Sequence, residues 1–327
     1  MTSRRLPTLL VALAALCALA GCGLGAGSTP KDVGLTVTRD FGARVLHRAH
    51  APRIVGEETV MSLLQRNATV ATRYGGGFVQ SIDGLSGGSE SGEPVDWFYY
   101  VNGVEATKGG AATVVHPGDR IWWDRHDWSQ TEDVPAVVGS FPEPFLAGID
   151  GKRLPLRVEC VEAESSACQG VLGRLRSLGV PAALAAVSGG DEPETLRVLV
   201  GPLSKLVADP GVHQIEDGPR YSGVYARFGA NAKTLQLLDA GGHTVLTLAA
   251  HSGLVAATRY REEAPVWVVT GTDEYGVNRA AAALSEATLR NRFAVALPSS
   301  GPPLALPIPE PVAHAAAGIT QQGTPTG

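Results

Sequence analysis

The sequence predicts an α+β protein in which a small domain of strands and one helix precedes a separate α/β domain. Strand patterns crowd residues 33–130, which contain one strong helix pattern. From residue 152 onward, strand and helix patterns alternate. A stretch punctuated by prolines lies between the two regions. Such a change from clustered strands to alternating strands and helices is typical of two different folding units.

The N-terminus predicts export and lipidation. Arg4 and Arg5 precede an apolar run of about a dozen residues, which is too short to span a bilayer and fits a signal peptide. The run ends in Leu-Ala-Gly-Cys at residues 19–22, which resembles the lipobox of bacterial lipoproteins. In that family the cysteine thiol receives a diacylglycerol and the chain is cut just before it. We therefore predict a signal peptide at residues 1–21 and a lipidated Cys22; the alternative is an ordinary signal peptide with an incidental cysteine.

Both alternatives place the protein outside the cytoplasm. Lipidation of Cys22 predicts attachment to the extracytoplasmic face of the cell membrane, with residues 22–32 as a flexible stalk rich in Gly, Ala, Ser and Thr. The membrane, reached through this anchor, is the first predicted partner. Nucleic acid is not a predicted partner, because the net charge is −5 and nucleic-acid-binding domains carry a basic surface.

Two cysteines remain in the exported part of the chain, Cys160 and Cys168. In an oxidising compartment their close spacing predicts a disulfide that closes a short loop. The alternative is a pair of buried thiols. No metal site is predicted: the cysteine pair has no nearby histidine. His47 and His50, three residues apart on a predicted strand, face opposite sides of it.

Residues 33–130 predict a β-grasp-like domain, in which two strands, a helix and several further strands follow one another. The helix is predicted at residues 56–65, where Glu57 and Glu58 lie near the positive end of the helix dipole. The strands are predicted at residues 35–38, 43–54, 69–74, 78–82, 95–101 and 120–123.

The rest of the chain divides into three parts. Residues 131–151 predict a Pro-rich linker, residues 152–297 an α/β domain, and residues 298–327, almost without charge, a disordered tail. The last helix of the α/β domain follows Thr272 or Asp273 as its N-cap. Strands are predicted at residues 154–161, 196–200, 223–228, 234–238, 243–248, 266–270 and 293–297, and helices at residues 167–178 and 277–289.

Motifs of enzyme chemistry are scarce in this sequence. It contains no His-Glu-x-x-His, no Gly-x-Ser-x-Gly and no phosphate-binding Gly-x-x-x-x-Gly-Lys-Ser/Thr. The sequence therefore predicts a protein without enzymatic activity. A hydrolase site of unrecognised type in the second domain is the weaker alternative.

Aromatic residues are concentrated between residues 74 and 128, which hold four of the five tryptophans. Alternation along the predicted strands puts half of these rings on the face opposite the helix. One helix does not easily cover both faces, so we expect some rings to form an exposed contact site. The predicted ligand-binding residues are Phe98, Tyr100, Trp122, Asp124, His126 and Trp128. The alternative is that the rings belong to the core or pack on the second domain, and that His126 lies in a polar surface turn.

Four segments in succession resemble the transcobalamin C-terminal-like domain. They are Glu-Thr-Val-Met-Ser-Leu-Leu at 58–64, Tyr-Gly-Gly-Gly-Phe-Val-Gln-Ser-Ile-Asp-Gly at 74–84, Trp-Phe-Tyr-Tyr-Val-Asn-Gly at 97–103 and Pro-Gly-Asp-Arg-Ile-Trp-Trp-Asp at 117–124. The resemblance implies a β-grasp-like fold and, as in the animal cobalamin carriers, one wall of a corrinoid site. In those carriers a helical barrel supplies the other wall. This chain has no such barrel, so a second binding protein is the expected source of that wall.

Two functions are therefore expected. In the first, a surface lipoprotein binds a ligand, with a corrinoid as the candidate, and passes it to a transporter. In the second, the same rings contact another envelope protein or a wall glycan, and the protein has no small-molecule ligand.

Overall fold

The computed structural model describes residues 32–50, 53–188 and 193–309. The predicted signal peptide at residues 1–21, the lipidated Cys22 and the tail beyond residue 309 lie outside the described residues. Helices together with mixed β-sheets make the described chain an α+β protein.

The described chain contains strands and helices in the following order along the sequence. The strands are β1 (Gly34–Arg39), β2 (Arg44–His50), β3 (Val70–Arg73), β4 (Phe78–Ile82), β5 (Leu85–Ser86), β6 (Gly88–Glu90), β7 (Glu93–Val101), β8 (Val104–Glu105), β9 (Arg120–Asp127), β10 (Leu156–Cys160), β11 (Ala182–Ala186), β12 (Leu196–Pro202), β13 (Ala226–Phe228), β14 (Leu235–Leu238), β15 (Thr244–Leu248), β16 (Gly253–Thr258), β17 (Val266–Gly271), β18 (Ala294–Leu297) and β19 (Leu304–Leu306). The helices are α1 (Val60–Asn67), α2 (Ser166–Ser177), α3 (Leu203–Leu206), α4 (Pro210–Asp217), α5 (Pro219–Ser222), α6 (Glu274–Ala282) and α7 (Glu286–Leu289).

The first half of the chain is built on a mixed sheet with the strand order β2-β1-β9-β7-β6, in which β8 also pairs with β7. Strands β1 and β9 are parallel, whereas β2 and β7 run antiparallel to their neighbours. Helix α1 buries Val60, Leu63 and Leu64, which recur at helical spacing, against side chains of this sheet such as Leu35 and Trp97. This packing forms the core of the first half.

Helix α1 begins later than the sequence predicts, at Val60 rather than at residue 56. The side chain of Thr59 accepts the amide of Ser62, and the Ser62 hydroxyl accepts the amide of Thr59, so this capping box fixes the start of the helix. Glu58 lies outside the helix, where its carboxylate accepts Arg66 Nε at 2.7 Å. The prediction that Glu58 favours the helix dipole from the first turn is therefore wrong.

The second half is built on a seven-stranded sheet with the order β11-β10-β12-β17-β16-β18-β19. The first four strands are parallel, and the last three pair antiparallel. Helices α2 and α6 cover one face, and the three-stranded sheet β13-β14-β15 lies with helices α3 to α5 against the other. Strands β11 and β16 were not predicted. The sequence of β11, Ala-Ala-Leu-Ala-Ala, lacks the β-branched residues typical of strands. Strand β16 is buried along its whole length, so its sequence shows no apolar-polar alternation.

Two predictions at helix starts have clear outcomes. The N-cap of α6 is Asp273, whose carboxylate accepts the amide of Gly276 at 3.0 Å, which confirms one of the two predicted caps. The single helix predicted at residues 277–289 is instead two helices, since Ser285 caps a new start by accepting the amide of Thr288.

The predicted disulfide between Cys160 and Cys168 is present, with a Cα–Cα distance of 6.0 Å. It joins the end of β10 to the first turn of α2. Both cysteines are buried, so the bond lies in the core of the second half rather than on its surface.

Residues 131–151 were predicted to be a linker, but they pack in the interior. Val137, Val138, Phe141 and Phe145 between the prolines are almost fully buried. Gly139 lies so close to Trp122 that an added Cβ would come within 2.5 Å of its ring. These residues join the cores of the two halves, so the prediction of a linker is wrong.

The predicted tail begins too early, because residues 298–309 are part of the fold. Strand β19 pairs antiparallel with β18, and Leu306 and Ile308 are buried. The amide of Ile308 donates to the carbonyl of Leu238 at 2.8 Å. Residues 306–308 of this uncharged stretch are therefore buried against the sheet.

Candidate functional site

The aromatic side chains of β7 and β9 divide between the two faces of the sheet as alternation predicts. Trp97, Tyr99 and Trp123 face helix α1 and belong to the core of the first half. Tyr100 and Trp122 point the other way, into a core shared with the second half. The split between faces was predicted from the sequence, but what covers the second face was not.

The second face of the sheet is covered by the second half of the chain. Tyr100 and Trp122 pack edge-on against Phe293 at ring-centroid distances of 5.6 and 5.3 Å. Tyr225 joins the same cluster through Phe41, since the centroids of these two rings lie 5.1 Å apart. Burial raises the pKa of Tyr100 well above its usual range, and its hydroxyl has no hydrogen-bond partner among the described residues.

Asp124 is a structural residue in this interface. Its carboxylate accepts the amides of Phe41 and Gly42 at 3.1 and 2.8 Å, and the Thr38 hydroxyl also donates to it. Trp122 Nε1 donates to the same hydroxyl at 2.7 Å. The carboxylate thereby holds the turn after β1 in the conformation that carries Phe41 into the interface.

His126 completes the same network. Its Nδ1 lies 2.9 Å from Asp124 Oδ1, and since a carboxylate only accepts, Nδ1 carries the proton. The ring is stacked on Phe98 at 4.5 Å and tilted against Phe41 at 4.6 Å. Its Nε2 has no partner among the described residues. His126 is 2% exposed, so it does not lie in a surface turn.

Four of the six predicted ligand-binding residues are therefore inaccessible. Tyr100, Trp122, Asp124 and His126 are all at most 3% exposed, and the expectation that they face solvent is wrong. The reason is that the second half of the chain covers the face that α1 leaves open. Phe98 and Trp128 remain partly exposed.

These two residues line a cleft of about 620 Å³ between the halves. This volume is within the roughly 300–1,000 Å³ of small-molecule sites. We call its two sides the first wall and the second wall. The first wall, from the first half and the segment after β9, comprises Phe78, Asp96, Trp97, Phe98, Glu105, Ala106, Thr107, Trp128, Glu132, Asp133 and Pro135. The second wall comprises Gln214, Arg220, Tyr221, Arg259, Arg261 and Glu262.

The first wall is acidic. Burial, reinforced by the neighbouring carboxylate of Asp133, raises the pKa of Glu105 to about 8. Burial also raises the pKa of Asp96. Among the described residues 32–50, 53–188 and 193–309, no cationic group lies within 4.0 Å of the carboxyl of Glu105, Asp96 or Asp133. With a pKa of about 8, Glu105 is largely protonated at pH 7. The negative charge of this wall is therefore carried by Asp133 and by Asp96, whose ionised form Arg125 and Arg73 favour at longer range.

The second wall carries three arginines. Arg259 is engaged, because its Nε donates to the Glu263 carbonyl at 2.8 Å and its Nη2 lies 3.3 Å from the Glu262 carboxylate. Arg261 lies 4.9 Å from the centroid of the Tyr260 ring. Arg220 and Arg261 form no ion pair with any described residue.

Two polar atoms of cleft residues lack partners in the described part of the chain. Trp128 Nε1, on the first wall, is a buried donor, and Gln214 Oε1, on the second, is a buried acceptor. A buried polar group without a partner costs about 1–3 kcal/mol. Both atoms are covered by protein, so a ligand could bond them only after the Trp128 and Gln214 side chains turn toward the cleft.

Three smaller cavities lie elsewhere among the described residues. One of about 370 Å³ adjoins the cleft and shares Glu105, Thr107, Arg259 and Glu262. One of about 270 Å³ is lined by Arg48, Arg120 and Arg290, but Glu286 binds both Arg120 and Arg290. One of about 380 Å³ lies at the carboxyl ends of β10 and β12. The cleft alone combines aromatic walls, unpaired charges and unpartnered polar atoms.

Among the described residues, no group of three or more His, Cys, Asp and Glu side chains is placed to hold a metal ion. Nor does any helix in the described ranges have the length and apolarity needed to cross a membrane.

Comparison with known proteins identifies one domain. Residues 57–127 match the Domain of unknown function (DUF4430). The matched residues lie within the first half of the chain and include Phe98 and the carboxylates at 96 and 105 on the first wall. No curated protein and no solved structure matches the chain.

The second wall was not predicted from the sequence. Arg220, Tyr221 and Gln214 lie on short helices α4 and α5, and Arg259 and Arg261 follow β16. These segments carry no motif, and only the charged run at residues 259–263 stands out. Their relation to Phe98 and Trp128 exists only in the folded chain.

Proposed function

We propose that this protein is a membrane-tethered binding protein of the cell envelope, without enzymatic activity, whose ligand occupies the cleft between the two halves. The observation that carries the proposal is the cleft itself. It joins partly exposed aromatic rings, Phe98 and Trp128, to unpartnered polar atoms on both sides. Concave sites with apolar walls and a few oriented polar groups are typical of ligand binding.

The tether is the lipidated Cys22. A dozen apolar residues followed by a lipobox-like sequence support it. A chain spanning residues 22–32 reaches at most about 35 Å. The described body would therefore stay close to the extracytoplasmic membrane surface, where a transporter can receive the ligand.

A corrinoid is one candidate ligand. The hairpin, the helix and the parallel β1–β9 pair support a β-grasp-like first half. The four segments at 58–64, 74–84, 97–103 and 117–124 that resemble the transcobalamin C-terminal-like domain support a transcobalamin-like one. In the animal carriers such a domain forms one wall of a corrinoid site. Here the second half of the same chain stands opposite, so this proposal no longer needs a separate protein for the other wall.

Equilibrium dialysis of the mature protein against cobalamin tests the corrinoid version. Trp128→Ala should weaken binding at least ten-fold, because the side chain is part of the first wall. Tyr275→Ala is the control, since Tyr275 is 70% exposed and does not line the cleft. Failure to bind cobalamin at tens of micromolar would remove the corrinoid as ligand.

A second candidate function is contact with another envelope protein or a wall glycan. It is favoured by β2, an edge strand with Val45 and Leu46 exposed at 48% and 45%. Exposed edge strands readily pair with other chains. Capture of an envelope partner that Leu46→Lys abolishes, together with no small molecule retained by the purified protein, would favour this function over ligand binding.

A further inference from the structure

We propose that the cleft binds a short peptide with free termini, its ammonium group against the first wall and its carboxylate against the second. This inference rests on the proposed ligand-binding function and specifies the class of ligand. It is carried by three features of the cleft, which are the separation of charge, the unpartnered polar atoms and the aromatic rings.

Charge is divided between the walls. The carboxylates of Asp96 and Asp133 stand on the first wall beside the protonated carboxyl of Glu105, and Arg220 and Arg261 stand on the second. No ion pair within 4.0 Å joins these two groups in the described structure. Opposite charges that face one cleft without meeting are suited to a ligand that carries both signs and spans the gap.

The environment of Glu105 supports a cationic group on the first wall. Its raised pKa results from burial and from Asp133, with no nearby cation to offset them. A bound ammonium would favour the ionised carboxylate and lower that pKa. Phe98 and Trp128 on the same wall offer ring faces, which also attract cations.

The two unpartnered atoms match an amide. Both atoms are covered in the free protein, so a ligand reaches them only when the two side chains turn toward the cleft. Trp128 Nε1 would then donate to a carbonyl oxygen, and Gln214 Oε1 would accept an N–H. A peptide group supplies both between its charged ends. A purely cationic or purely anionic ligand would leave the charges of one wall without a partner.

The size and rings of the cleft limit the peptide. A volume of about 620 Å³ admits a ligand of a few residues, not a folded domain. Tyr221, 62% exposed at the mouth, and Phe98 favour an apolar or aromatic side chain. The predicted ligand is thus a short peptide with at least one such side chain.

Three forms of one probe test the inference. The mature protein is titrated calorimetrically with phenylalanyl-phenylalanine, its N-acetyl form and its C-terminal amide at pH 7. The free dipeptide should bind at least ten-fold more tightly than either blocked form, because each block removes one charge. Equal affinities for all three forms would overturn the inference while leaving the cleft as a binding site.

Variants assign each terminus to a wall. The double substitution Arg220→Gln with Arg261→Gln should lower the affinity for the free dipeptide at least five-fold and leave the affinity for the C-terminal amide unchanged. Glu105→Gln should lower the affinity for the free dipeptide and leave the affinity for the N-acetyl form unchanged. Arg174→Gln and Glu164→Gln, on exposed residues outside the cleft, are matched controls. A thermal melt must show that each variant is folded at the temperature of the titration.

The remaining outcomes separate this inference from the proposed function. Binding of cobalamin but of none of the dipeptides would overturn the peptide and retain the ligand-binding function. If neither cobalamin nor any dipeptide binds, and the protein purified from its own envelope retains no small molecule, both proposals are wrong. Loss of binding in the matched controls would also count against assigning the termini to these walls.

Discussion

His126 and Asp124 form a buried pair, with Nδ1 of the imidazole 2.9 Å from Oδ1 of the carboxylate. Both residues lie where the two halves of the chain meet. His126 packs against Phe41 and Phe293, and Asp124 accepts a hydrogen bond from the backbone of the turn that carries Phe41. The pair therefore couples the turn after β1 to the second half. Asp124 and His126 were predicted to bind a ligand, but their buried position at this interface gives them a structural role.

Asp124→Asn should destabilise the protein by about 3 kcal/mol. The amide side chain keeps the shape but turns one donor toward the amides of Phe41 and Gly42, which then lose an acceptor in a buried site. Urea unfolding followed by tryptophan fluorescence measures the change. Asp150→Asn, on an exposed residue, should change stability by less than about 0.5 kcal/mol. Similar small effects of both substitutions would show that Asp124 does not hold the turn.

Gly139→Ala should cost about 1–3 kcal/mol. An added Cβ would lie 2.5 Å from the Trp122 ring and 2.8 Å from the Arg292 amide nitrogen, so the interface between the halves must shift. Gly170→Ala is the matched control: Gly170 is exposed in α2, with nothing within 4 Å of the new atom. It should stabilise by about 0.5–1 kcal/mol through higher helix propensity. Thermal melts of both variants test the contrast, which disappears if residues 131–151 are a loose linker.

The stability of the protein should fall as pH rises from about 5 to about 8. Glu105 has its pKa raised to about 8 in the folded state, above the usual value of 4.5. The folded state thus holds a proton that the unfolded state releases, and this contribution is complete below pH 4.5 and is lost as pH rises through 8. This contribution of Glu105 to the free energy of unfolding is about 2–4 kcal/mol.

Urea unfolding at pH 5, 6.5 and 8 measures this dependence. Glu105→Gln should flatten it, since the amide has no proton to lose. Glu132→Gln on the exposed part of the same wall is the control and should keep the slope of the parent. An unchanged slope in Glu105→Gln would mean that another group titrates.

Removal of the disulfide by Cys160→Ser with Cys168→Ser should lower stability by about 2–3 kcal/mol. The bond closes a loop with a sequence separation of 8, and a short loop limits the entropy it removes from the unfolded chain. Because both sulfurs are buried, the native protein should resist thiol reductants until it unfolds. Mass spectrometry after alkylation measures this resistance. Rapid reduction under native conditions would contradict the buried position.

Much of the secondary structure followed from local patterns. Apolar residues recur at the period of the structure in strands β7, β9, β17 and β18 and in helix α2, and turn residues mark the ends of these elements. The disulfide followed from spacing and compartment. Strand β11, with its sequence Ala-Ala-Leu-Ala-Ala, could not be predicted, since its pairing with β10 rather than its own composition holds it in place.

The candidate site was predicted only in part. Phe98 and Trp128 were identified from aromatic spacing, and both line the cleft. Tyr100, Trp122, Asp124 and His126 share that spacing but are buried. Alternation determines the face on which a side chain lies, yet it carries no information about what covers that face.

The sequence by itself determined which residues share a face of β7 and β9, where α1 and α2 bury their stripes, and that Cys160 and Cys168 can pair. These properties depend on neighbours within a few residues, or on chemistry that spacing displays. Only the tertiary structure decided that residues 131–151 and 304–306 join the core, and that Arg220 and Arg261 face Asp96 and Glu105 across a cleft. The relation across the cleft joins residues more than a hundred positions apart. It arises because the second half must cover apolar surface that one helix leaves exposed.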